Sequence, residues 1–363
     1  NGVIIITTKR GKKNRNAISF RMTQGISERA LPEYERVDAF QYYPLMWQAY
    51  RNSLVYAATP IPIADANRIA SGLLPRIATG TNRGTQLYNG TAYNDISQNL
   101  TYNPFNVPST EIVLPDGTIN PNAQLKWADD LDWNRELERK GHRQEYTVNY
   151  SGGNDKTDFF SSFGYVDEKG FIIRSDQKRF LGRLNINSQP LTWFRTGINL
   201  SGTVTSSNQA SDGSSTGYVN PFFFTRQMGP IYPMYAHDPA TGNYMLNSLG
   251  QRFYDYGNLS AMGIPNRPAG ASAGRHVVEE TKLNQNLDNR NVLSGRAYGE
   301  ILFTKDLKAT TNISLDLTNY FGSTYDNNLV GDGAPAGRAS KNTTLTKSYT
   351  FNQLLNYTKR FGL

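Results

Sequence analysis

Apolar residues recur at every second position in stretches of roughly ten residues, and few folds use that pattern so often. In the stretch 307–318, Leu307, Ala309, Thr311, Ile313, Leu315 and Leu317 share one side of an extended chain. Lys308, Thr310, Asn312, Ser314, Asp316 and Thr318 share the other. Phe194, Thr196, Ile198 and Leu200 oppose Arg195, Gly197, Asn199 and Ser201 in the same way. Phe180, Leu184 and Ile186 oppose Arg183, Asn185 and Asn187, while Phe159, Phe163 and Tyr165 oppose Asp158, Ser162 and Gly164. Weaker instances cover 17–27, 144–151, 293–303 and 345–357. The expectation is about eight strands, each long enough to cross a bilayer at a tilt.

Half-apolar strands suit a soluble sandwich, whose apolar faces meet, or a membrane barrel, whose apolar face meets lipid. The connections separate the two. Links after the second, fourth and sixth strands are short: 153–157, 189–192 and 304–306. Those after the first, third, fifth and seventh are longer, and two of them, near 28–142 and 206–292, are very long. Strict short–long alternation is the mark of a meander with one end in the periplasm and the other outside. The fold expected is therefore all-β, a transmembrane antiparallel β-barrel with long extracellular loops.

Composition agrees. Hydrophobic residues make up 38% of the 363, mean hydropathy is -0.56, and the longest aliphatic run, Val3 to Ile6, is far too short for a spanning helix. Cysteine is absent, which excludes disulfides and thiolate chemistry. The net charge of +8 is spread along the chain apart from Lys9–Arg15, and no nucleic-acid-binding motif accompanies it, so nucleic acid is not an expected partner. Asn1-Gly2 runs directly into a β run without a charged leader, so the chain reads as a fragment.

Catalytic patterns are weak. His276 and Glu279 have metal-ligand spacing, but no second histidine or acid cluster completes a site. Gly213-Ser214-Ser215-Thr216-Gly217 matches a nucleophile elbow without the strand and helix that motif needs. Asp129, Asp130 and Asp132 lack the glycine and terminal glutamate of a calcium loop and read as an exposed acidic turn. No catalytic residue, metal or cofactor is expected, and the chain does not read as an enzyme.

Binding residues are expected in two places. Arg183, Arg195, Arg296 and Lys308, with Glu145, Asp158, Glu300 and Asp316, fall on the polar side and would line the lumen. The loop aromatics Trp47, Trp127, Trp133, Phe222, Phe223, Phe224, Tyr232 and Tyr235 could stack on sugar rings or peptide side chains, or else build small cores within the loops. Of these, Trp47, Trp127, Trp133, Phe222, Phe224, Tyr232, Arg195 and Arg296 are the substrate-binding candidates. The run 36–52 reads as an aromatic helix with Asp38 as N-cap and Pro44 as a possible kink.

Three blocks carry a family resemblance. Asn1–Lys12 (NGVIIITTKRGK) resembles the last plug strand of SusC/RagA-type TonB-dependent outer-membrane transporters of Bacteroidetes. The segment 145–208, with SGGNDKT, GYVDEKGFI and SDQKRF, resembles that family's early barrel strands, and 220–233 (NPFFFTRQMGPIYP) a segment of its third outer loop. The resemblance implies residues 1–12 as the end of a plug and 13–363 as the N-terminal part of a barrel, about eight strands of a presumed 22. It further implies active import of glycan or peptide oligomers in the outer membrane. The partners implied are a SusD-like surface lipoprotein and, through the absent plug region, the TonB–ExbB–ExbD complex, with lipid or lipopolysaccharide around the barrel. A passive porin-like channel is the alternative, which a plug strand at Val3–Thr8 speaks against; a surface adhesin β-domain is another.

Overall fold

The computed structural model describes residues 14–77, 84–210 and 220–359. The expected plug strand at 1–12 and the Gly213–Gly217 motif lie outside the described residues.

Eight strands form one antiparallel sheet: β1 (Ala17–Ser27), β4 (Gly141–Gly153), β5 (Thr157–Lys169), β6 (Asp176–Leu191), β7 (Phe194–Asn208), β8 (Gln285–Leu302), β9 (Leu307–Asp326) and β10 (Arg338–Tyr357). They pair in that order, each with its neighbour, without a crossover. A small hairpin, β2 (Gln86–Tyr88) with β3 (Thr91–Tyr93), stands apart. All eight alternating stretches are strands of the sheet. They also run past the alternating core: β9 and β10 have 20 residues each. Backbone pairing continues beyond the apolar positions; Asp167, Glu168 and Lys169 still pair with Lys178, Gln177 and Asp176. Charged side chains there are solvated while the ladder goes on, so the third link shrinks to 170–175 and the seventh to 327–337.

Register puts the apolar residues on one side. Tyr165, Phe180 and Val204 lie opposite one another across three strands, and Leu200 continues through Gly295 to Leu315. Ile198 faces Ala297, then Ile313 and Phe351. These side chains are largely uncovered: Phe163 is 57% exposed, Phe20 64% and Ile313 53%. A sandwich would have buried them under a second sheet. Here that face looks out from the protein, and the core lies elsewhere.

The core sits in the connections at one end of the sheet. The first long loop supplies α1 (Ala39–Val55), α2 (Ile63–Ser71), α3 (Ile96–Leu100) and α4 (Asn134–Leu137); the second supplies α5 (Pro221–Gln227) and α6 (Val277–Leu283). Asp38 starts α1 as the expected N-cap by accepting from the Gln41 N–H, and Gln41 reaches back to the Asp38 N–H, a reciprocal cap that sets the first helical residue at Ala39. Ala39, Tyr43, Trp47 and Leu54 then fall on its buried side. Pro44 sits inside the helix, which continues past it to Val55. Side chains of both loops join one cluster, including Trp47, Phe105, Trp127 and Trp133 from the first and Phe224, Ile231, Tyr232 and Val277 from the second.

Candidate functional site

The polar side of the sheet carries a charge network at its short-turn end. Arg195 meets Glu300 at 3.3 Å and donates to Gln189 at 3.2 Å, while Lys308 reaches the other Glu300 oxygen at 3.1 Å. Near the loop end, Arg143 bridges Glu145 (2.9 Å) and Glu168 (2.6 Å). Asp158 accepts from Asn187 at 3.0 Å. Between these ends the pattern changes. Arg296 donates to an amide, Asn312 Oδ1, at 2.7 Å, and Arg183 and Asp316 have no hydrogen bond or ion pair among the described residues. A hollow of about 260 Å³ opens there, walled by Arg183, Asn199, Ser201, Ser294, Arg296 and Asp316. Of the two candidate arginines, Arg195 is held by Glu300, whereas Arg296 bonds Asn312 and borders this hollow.

The candidate aromatics have a different setting. Trp47, Trp127, Trp133, Phe224 and Tyr232 are buried in the shared loop core. Trp133 donates to the Tyr232 carbonyl at 3.0 Å and packs against the Phe224 and His276 rings. Trp47 donates to Ser71 Oγ at 2.9 Å, and Tyr232 to the Leu100 carbonyl at 3.2 Å. Their faces meet one another, so in this conformation they hold the loops together. Phe222 is half-buried, with the Arg29 guanidinium 5.3 Å above its ring. Trp127 also borders a second cavity of about 260 Å³, with Tyr102, Lys126, His237 and Asp255.

Ionisable groups inside the loop body are structural. His276 caps α6: its Nδ1 accepts from the Glu279 N–H at 3.2 Å, which leaves Nε2–H to donate to the Met234 carbonyl at 2.9 Å. Burial pushes its imidazole down to about 3. Asp130 accepts from the Tyr235 N–H at 2.8 Å and meets His237 Nε2 at 2.9 Å, Asp129 takes the Tyr244 hydroxyl, and Asp132 accepts the Asn134 N–H. The three carboxylates turn to separate partners, so they form no calcium cage. Asp129 and Asp132 are exposed, as the sequence reading had them, whereas Asp130 is buried, which corrects that reading at this one position. Asp255 accepts from Tyr102 and from the Gly257 N–H, and burial pushes its carboxyl up. Among the described residues no group of three or more acids and histidines is placed to hold a metal.

Comparison with known proteins fits this geometry. No family model matches the chain. A TonB-dependent receptor P3 of Formosa agariphila is 25% identical over 236 residues, 64% of this chain and 21% of that protein. The RagAB peptide importer in its closed-closed state superposes with a TM-score of 0.57 at 18% identity, over 98% of this chain and 34% of the importer chain. Its open-open state gives 0.54 at 19% identity, over 96% and 33%. The fold is that of a TonB-dependent transporter barrel. The SusC/RagA-type resemblance read from the three sequence blocks is borne out, as is a partial, unclosed barrel. The chain spans about a fifth of the curated relative's length and a third of the importer chain.

Sequence reading missed several contacts within this barrel portion. The His237–Asp130 pair joins residues 107 apart, and Tyr102–Asp255 residues 153 apart. Gln86 is fully buried, bonding the Leu74 N–H and the Ile69 carbonyl. No spacing rule connects such distant positions. A local signal that was available and missed is Asp95-x-x-Gln98 ahead of α3, a capping-box pattern like that of Asp38 and Gln41.

Proposed function

We propose that the complete receptor, of which this chain forms part, actively imports glycan or peptide oligomers across the outer membrane. TonB, acting through a plug, supplies the work, and a SusD-like lipoprotein closes over the loop side. The observation that carries this reading is the two-sided sheet: a continuous uncovered apolar face, a polar opposite face, and every long connection at one end. Such a sheet is stable where hydrocarbon covers one face and water or a plug the other. The relatives are a receptor and a peptide importer, which supports transport over bond-making chemistry and favours peptides as cargo. The packed loop core offers a firm surface on which a lid can seat.

Uptake of a labelled oligopeptide by cells carrying the complete receptor tests the proposal. Collapse of uptake with a proton uncoupler, and again on deletion of the lipoprotein partner, is expected. Uptake untouched by the uncoupler would instead return the passive channel.

A further inference from the structure

The polar wall does not treat its cations alike. Near the short turns Glu300 gathers Arg195, Lys308 and the Thr310 hydroxyl, and near the loops Arg143 is held between two glutamates. These groups are neutralised locally. Midway along the wall stand Arg183, with no partner among the described residues, and Arg296, which holds one amide oxygen.

Register brings these two guanidinium groups to one place. Arg183 pairs across to Ser201 and on to Ser294; Asn185 pairs to Asn199 and on to Arg296. The two arginines are thus two strands and one same-face step apart, about 12 Å between Cα atoms from strand spacing and rise. Arginine side chains are long enough to converge across that gap. The residues between them are serines and asparagines, short enough to leave the hollow of about 260 Å³. Asp316 stands at the far rim, next to Ser294 across the β8–β9 pairing, and makes no ion pair with Arg296. A planar carboxylate matches the guanidinium fork in shape and charge, and serine hydroxyls beside it can donate further bonds.

We propose that this hollow is an anion subsite, which takes a carboxylate of passing cargo between Arg183 and Arg296. Resting on the import reading above, it narrows the cargo to oligomers bearing carboxylates. Two sources share that chemistry, acidic peptides and uronic-acid glycans.

The test uses the complete receptor in cells, with matched probes: a glutamate-containing tetrapeptide against its glutamine counterpart, and an oligogalacturonate against its methyl ester. The readout is the ratio of acidic to neutral uptake in each pair. The double variant Arg183→Gln/Arg296→Gln should lower that ratio about tenfold in one pair, the size of a steering effect from a focused positive site, and raised salt should erode the wild-type ratio. Whichever pair responds identifies the source. Arg183→Lys/Arg296→Lys keeps the charge without the fork and should keep only part of the preference. An unchanged ratio in both pairs overturns the subsite, including the case in which uptake of both members falls together because the arginines merely hold the wall. Loss of uncoupler sensitivity in the wild type would count against the import reading and leaves a distinct signature.

Discussion

Trp133 shows how much one side chain can hold. It is almost wholly buried, its N–H is satisfied by Tyr232, and its ring touches Phe224 and His276, with the Arg267 guanidinium 5.6 Å away. Trp133→Ala should cost the loop body about 3–5 kcal/mol, seen as rapid proteolysis of the loops while the strands stay protected. His276 sets a pH dependence. The unfolded chain takes up a proton as pH falls through about 6.5, whereas the folded imidazole resists until about 3. Its contribution is therefore complete above that upper value and declines as pH falls, by about 1.4 kcal/mol per unit. His276→Asn keeps an N-cap acceptor but cannot titrate, so the wild-type loss of melting temperature between about pH 7 and pH 5 should exceed the variant's. Two glycines of neighbouring strands should part company as well. A Cβ at Gly182 meets nothing within 4 Å, whereas one at Gly197 meets the Tyr298 ring at 2.4 Å and the Ile186 carbonyl at 2.9 Å. Gly182→Ala should leave folding intact, and Gly197→Ala should lower the yield of folded receptor in the outer membrane.

At the scale of elements, strands were the most legible part of the sequence. Their two-residue period is local, so Leu307–Leu317 announces itself without knowledge of its neighbours, and the register later found with β10 keeps the same side outward. That side should be intolerant of charge: Ile313→Arg costs about 2–4 kcal/mol near the bilayer midplane, whereas Asn312→Arg, one residue earlier, points to the polar side. Heat-modifiability on a gel compares the two. The loop helices were harder to read. The first was found through Asp38 and its aromatic spacing, but its partners could not be, since Tyr43 packs on Phe105 and Trp133 on Phe224 across long stretches of chain. The engagement of Arg195 and the lack of a partner for Arg183 among the described residues were likewise invisible, because they depend on which acid the register places opposite.

For the molecule as a whole, the sheet has two unpaired borders among the described residues, the outer sides of β1 and β10. Every residue of β10 is exposed, including Tyr349 and Leu355. In hydrocarbon an unpaired row of N–H and C=O groups is not sustainable, so residues 1–363 expressed alone should precipitate or require denaturant, whereas the complete receptor should extract into mild detergent as a folded species. A second feature concerns movement. The first long loop joins β1 to β4 and the second joins β7 to β8; β5 and β6 lie between β4 and β7, yet the two loops share one interior through Trp133, Tyr232, Asp130 and His237. Spreading β4 from β7 would tear that interior open. This part of the cylinder must therefore shift like a single barrel stave, its rim already hooped, and any widening falls to the rest of the circumference.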